Sequence, residues 1–152
     1  MKKTVLVMHG PSLGLLGRRK PEIYGPMTLA KLDALITVRA AELGLRVKFF
    51  QSNSEGALID WMEANAAAAH GLIINPAAYT HYSYALRDAV EACGLPAVEV
   101  HLSDIARREP FRRTSVIKPV CLRQFKGKGA KSYLDALDFL AKHLRRQQGE
   151  TA

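Results

Sequence analysis

Cysteine is scarce in this chain: 152 residues include only two, Cys93 and Cys121. Two thiols supply no metal-ligand spacing and at most one disulfide, so a reducing cytoplasm is the default compartment. Long apolar runs are missing as well. None approaches the ~20 residues that span a bilayer. The run after Met1-Lys2-Lys3 is also shorter than the roughly 7–15 apolar residues of a signal-peptide core. Neither a membrane partner nor export is expected. Aromatic residues make up 7% of the chain and no recognition motif accompanies its positive charge, so nucleic acid is not an expected partner. The histidines form no His-x-x-x-His pair and have no cysteine partner, which leaves no pattern for a metal. Gly10, Gly14 and Gly17 match neither Gly-x-Gly-x-x-Gly nor a P-loop, so a nucleotide cradle has no support.

What is present is an ordinary globular composition, 48% hydrophobic and 24% charged, long enough for one well-cored domain. Residues 1–146 are expected to form that domain, with 147–152 as a frayed tail. The net charge of +8 is concentrated. Nine bases lie between Arg107 and Lys131 against one acid, Glu109, while thirteen bases balance thirteen acids elsewhere. Such a field attracts anions, including small carboxylates, although any one of these side chains is as readily part of a solvated basic face.

Along the chain, apolar runs predict strands at Thr4–Met8, Arg46–Gln51, Leu72–Ile74 and Ala97–Val100, with a weaker one around Val120–Phe125. Helical spacing predicts helices from the Thr28 cap to Leu43, over Ala57–His70, over Ser83–Cys93 and over Ala130–Arg146. Strands alternating with helices, the middle ones wholly apolar, indicate a parallel sheet covered on both faces. Five strands suit a flavodoxin-like doubly wound α/β fold, which binds ligands beyond the carboxyl ends of its strands. His9 and Ser12 follow strand one, Asn75 and His81 follow strand three, and His101 and Ser103 follow strand four.

The connection after strand one, Gly10 to Pro26, is long for a compact domain and carries Arg18, Arg19 and Tyr24. It reads as a lid over about residues 17–26. A tyrosine acts as a base only when ionised, which at pH 7 costs about 4 kcal/mol from a reference pKa of ~10. A nearby arginine lowers that cost. A histidine across the pocket could then protonate a leaving hydroxyl, so base and acid on opposite sides of a substrate would suit elimination of water.

Five blocks in order carry a family resemblance: Leu15-Leu16-Gly17-Arg18-Arg19-Lys20-Pro21-Glu22-Ile23-Tyr24-Gly25, Phe49-Phe50-Gln51-Ser52-Asn53-Ser54-Glu55-Gly56, Ile73-Ile74-Asn75-Pro76-Ala77-Ala78-Tyr79-Thr80-His81, Ala85-Leu86-Arg87-Asp88-Ala89 and Glu99-Val100-His101-Leu102-Ser103. From Val5 to Tyr133 the chain resembles the type II 3-dehydroquinate dehydratases. The resemblance implies dehydration of 3-dehydroquinate to 3-dehydroshikimate through an enolate, without metal or Schiff base. It makes Tyr24 the base, Arg19 the residue that keeps it ionised, and His101 the general acid oriented by Glu99. Asn75 and the backbone of Leu102 and Ser103 would hold the substrate carboxylate, while His81 and Arg112 would bind ring hydroxyls. Asp88 would reach in from a neighbouring subunit of a trimer-based dodecamer. The same step serves aromatic biosynthesis and quinate breakdown.

The sequence departs from that family in places. Asn-Gly-Pro-Asn-Leu-Asn is replaced by His9-Gly10-Pro11-Ser12-Leu13-Gly14. The middle asparagine helps hold a water against the enolate oxygen, a duty that falls here to Ser12. Ala77 stands for glycine, Tyr82 for threonine and Asp104 for asparagine. Arg113-Thr114 stands where histidines are common, and strand five carries Arg123, Gln124 and Lys126. Tyr82 is bulky and lies beside His81, where it could reshape the pocket. A weakened or inactive paralogue that binds a related ring carboxylate is the alternative these changes leave open.

Overall fold

The computed structural model describes residues 1–24 and 26–151, without the side chains of Tyr24, Glu150 and Thr151. Five strands form one parallel sheet: β1 (Lys3–His9), β2 (Leu45–Gln51), β3 (Gly71–Asn75), β4 (Ala97–Val100) and β5 (Arg123–Phe125). Their spatial order is β2-β1-β3-β4-β5, so strand order reverses between β1 and β3. This is the doubly wound α/β arrangement. Alternation along β1 sends Val5 and Val7 to one face and Leu6 and Met8 to the other. The first pair packs with Leu32 and Ile36 of α2 (Leu29–Glu42) and with Tyr133 and Leu137 of α5 (Ala130–Thr151). The second packs with Leu58 and Met62 of α3 (Glu55–Asn65) and with Leu86 and Val90 of α4 (Tyr84–Cys93). Among the described residues no helix is long and apolar enough to cross a membrane.

Helix starts follow the caps. The hydroxyls of Thr28, Ser54 and Ser83 accept from the N–H groups of Lys31, Ala57 and Leu86, at 3.2, 3.2 and 3.0 Å. Each occupies an otherwise unpaired donor of its first turn. At the other end of α4, Gly94 takes φ 71°, a left-handed C-cap that glycine adopts without steric cost.

Two helix ends differ from expectation. The helix predicted to run to His70 stops as α helix at Asn65, and a 3-10 turn covers Ala66–Ala68. His70 is already tied to the sheet: its N–H donates to the Thr4 carbonyl at 2.8 Å, and its Nδ1 accepts from the Thr4 N–H at 3.0 Å. At the carboxyl end, α5 continues past Arg146 to Thr151, and Ala152 lies outside the described residues. The connection expected as a lid holds a one-turn helix, α1 (Pro21–Tyr24). It is pinned on its approach by buried Leu13 and Leu16.

Candidate active site

The carboxyl ends of β1, β3 and β4 meet at one cleft because their last residues stand side by side. His9 pairs in register with Asn75, and Ile74 with Glu99. Gly10 makes the close approach possible. Its N–H donates to the Asn75 carbonyl at 2.8 Å, and a Cβ there would sit 2.6 Å from the Pro76 carbonyl oxygen. The loop beyond it is held by side chains from the end of β2. Gln51 Nε2 donates to the Gly10 carbonyl at 3.1 Å, and Asn53 Oδ1 accepts from the Ser12 N–H at 3.0 Å.

Glu99 and His101 lie two residues apart in extended chain and so share a face. Both are buried, and His101 Nε2 donates to Glu99 Oε2. The same carboxylate accepts from Thr80 Oγ1 at 2.5 Å and from Ser115 Oγ at 2.8 Å to its other oxygen. Burial pushes the Glu99 carboxyl upward, but the bonds from His101, Thr80 and Ser115 outweigh it and hold the group below the usual glutamate range. Glu99 therefore stays ionised, and an ionised acceptor keeps Nε2 protonated and aimed at it. Nδ1 is then the nitrogen available to a ligand in the cleft.

His101 lines the cleft with Ser12, Asn75 and His81, as do Leu102 and Ser103. Arg19 from the lid segment, with Arg108 and Arg112 from the basic segment, brings three guanidinium groups to the same space. The concentrated charge thus partly faces the cleft. Arg112 is braced by Glu109 and lies 4.7 Å from the centre of the Phe111 ring. His81 Nδ1 lies 2.8 Å from the Thr114 carbonyl, an acceptor only, so Nδ1 carries the proton and Nε2 is the ring's acceptor. Burial lowers the His81 pKa below the ordinary histidine value, more than the Thr114 carbonyl raises it.

Two expected site residues stand apart from the cleft of their own chain. Glu99 sits behind His101, not in the lining. Asp88 is exposed on α4 and does not line it. The side chain of Tyr24 lies outside the described residues, as does Gly25 of the lid. Tyr82 is not among the described residues that line the cleft: it is 60% exposed and meets the edge of Tyr79, 5.9 Å between ring centres. Of the polar residues near β5, Arg123 and Lys126 have local partners, while Gln124 Nε2 is buried without a hydrogen-bond partner among the described residues. Arg123 lies over the Phe125 ring at 4.8 Å, and Lys126 pairs with Asp104 at 3.5 Å. Thr80, Ser115, Asn53 and Arg108 were not singled out from sequence. Thr80 and Asn53 fell inside recognised blocks, whereas Ser115 carries no spacing signal at all.

Two departures from the family pattern coincide with backbone strain. Ser12 has φ 69° and Ala77 has φ 51°, in the left-handed region that asparagine and glycine occupy more readily. Ser12→Asn and Ala77→Gly are each expected to stabilise the fold by about 1 kcal/mol. In urea denaturation that appears as a higher midpoint with unchanged slope; an unchanged or lower midpoint would show that the loops absorb no strain there.

The comparisons agree with this geometry. The family profile described as Dehydroquinase class II matches residues 3–141. A 3-dehydroquinate dehydratase of Roseiflexus castenholzii is 52% identical over 136 residues, spanning 90% of this chain and 87% of that protein. One from Geotalea daltonii is 49% identical over 142 residues, spanning 93% and 99%. The crystal structure of type II dehydroquinase from Propionibacterium acnes superposes with a TM-score of 0.89 at 42% identity, spanning 93% and 98%. A match running through every strand and loop that builds the cleft makes this chain a member of the class II dehydroquinase family.

Proposed function

We propose that this protein removes water from 3-dehydroquinate to give 3-dehydroshikimate through an enolate. The observation that carries the reading is the buried, carboxylate-oriented His101 at the floor of a cleft whose walls hold Arg19 and Arg112. Tyr24, kept ionised by Arg19, takes the proton beside the ketone. The resulting enolate oxygen is met by a water held through Ser12. His101 then gives a proton from Nδ1, the nitrogen facing the cleft, to the departing hydroxyl, while its Nε2–H stays on Glu99.

The substrate carboxylate lies between Asn75 and the N–H groups of Leu102 and Ser103. That assignment is supported by the bonds that hold those two residues: the Leu102 and Ser103 carbonyls accept from Gly129 and Gly127 at 3.0 and 3.1 Å. His81 and Arg112 bind ring hydroxyls, for which an unprotonated His81 Nε2 is a suitable acceptor. Asp88 completes the site from a neighbouring copy in a trimer-based assembly, consistent with its exposed place on α4. We assign the protein to the cytoplasm, on either the biosynthetic or the catabolic route.

Ultraviolet absorbance during incubation with 3-dehydroquinate tests the proposal. The product ring is a conjugated enone and the substrate ring is not, so turnover is seen as rising absorbance. A flat trace with purified, folded protein would overturn the assignment.

A further inference from the structure

Behind Asn75 lies a chain of buried polar groups that the chemistry above does not use. Asn75 Oδ1 accepts from the Ala77 N–H at 3.0 Å, and its Nδ2 donates to the Tyr133 hydroxyl at 2.9 Å. That hydroxyl lies 3.0 Å from His9 Nδ1, and His9 Nε2 lies 2.8 Å from Asp33 Oδ1. His9 and Tyr133 are fully buried, while Asp33, on α2, is 25% exposed. The His9 ring is further held by Phe49, stacked at 6.2 Å with 6° between planes. The chain runs from the protein surface to the cleft.

Its direction follows from what each group can do. Burial pushes the Tyr133 hydroxyl far above the ordinary tyrosine value, so it stays an O–H with one proton to give. It already accepts from Asn75, and its neighbour on the other side is His9 Nδ1. Giving its proton there requires Nδ1 to be bare, which puts the ring proton on Nε2, facing the Asp33 carboxylate. A carboxylate can only accept, so Asp33 selects this tautomer. In the other tautomer His9 Nδ1–H would point at Tyr133, whose own proton would then have only a reversed Asn75 amide as acceptor. Reversal would set the Asn75 Nδ2 donor against the Ala77 N–H.

We propose that Asp33, His9 and Tyr133 form a positioning relay that holds the Asn75 amide with its nitrogen as a donor for a bound carboxylate. One N–H of that amide is spent on Tyr133 and the second remains for the ligand. None of the three relay residues lines the cleft, so they act through Asn75 alone. The inference rests on the reading that Asn75 binds the substrate carboxylate.

Asp33→Asn keeps size and shape but can accept or donate, so it no longer selects a tautomer. It is expected to raise KM for 3-dehydroquinate roughly three- to tenfold while kcat stays within about twofold. Tyr133→Phe is expected to do the same. The double variant should be no worse than Tyr133→Phe alone, because Asp33 acts only through the residues between. In 15N spectra of histidine-labelled protein, His9 should be protonated on Nε2 and bare on Nδ1, and Asp33→Asn should mix the two forms. An active protein in which Asp33→Asn lowers melting temperature but leaves KM unchanged would overturn the relay, as would a wild-type His9 protonated on Nδ1. A wild-type protein without turnover would count against the dehydratase reading, and the nitrogen spectra would still decide the relay.

Discussion

Tyr24→Phe is expected to lower kcat by about 10⁴ while a ring-carboxylate analogue binds almost as before. The change removes one oxygen, the atom assigned to take the proton beside the ketone, and leaves the aromatic ring. Phenylalanine has no titratable group, so no pH restores the rate. Arg19, which lines the cleft, is the charge proposed to favour the phenolate near neutrality: ionising an ordinary tyrosine at pH 7 costs about 4 kcal/mol. Initial rates by ultraviolet absorbance, beside analogue binding by calorimetry, separate the two effects. Retained turnover would remove Tyr24 from the role of base.

His101→Asn is expected to cost about 10²–10⁴ in kcat, the usual worth of a positioned general acid. Glu99→Gln should fall in the same direction by a smaller factor. The amide keeps the shape of the carboxylate and can accept from Thr80 or Ser115, but it no longer offers only acceptors, so Nε2–H of His101 loses the partner that holds its tautomer. The sign of the electrostatic effect is defined. Glu99 is held below its ordinary value, so it is ionised at neutral pH, and the stability it contributes disappears only as pH falls through that depressed value. Glu99→Gln should therefore flatten the acid limb of the stability-against-pH curve as well as slow the reaction. A variant with wild-type kcat and an unchanged acid limb would show that the carboxylate orients nothing.

Much of the fold was legible in the chain because local rules coincide with tertiary ones. The apolar runs that predicted β1, β3 and β4 are the central strands of the sheet, whose apolar side chains are buried on both faces. Thr28 and Ser83 acted as caps because an N-cap needs only its own first turn. The failures came where a distant partner overrode local preference. The alanine-rich stretch after Asn65 has every propensity to remain helical, yet His70 is bonded to Thr4 in β1, and the helix ends early to let β3 enter the sheet. Tyr82 looked like a pocket residue by adjacency to His81, but one residue along a turn changes which way a side chain faces.

By itself the sequence determined the α/β class, the five-strand order of events and the identity of most cleft-lining residues, because the motif blocks sit at strand ends and strand ends converge in a doubly wound sheet. Only the tertiary structure decided which groups stand behind them. The Thr80–Glu99–Ser115 cluster and the Asp33–His9–Tyr133–Asn75 chain join residues up to 124 positions apart, the His9–Tyr133 separation. No spacing rule can reach that far, since hydrogen-bond direction exists only once buried donors and acceptors have been brought together and each must find a partner.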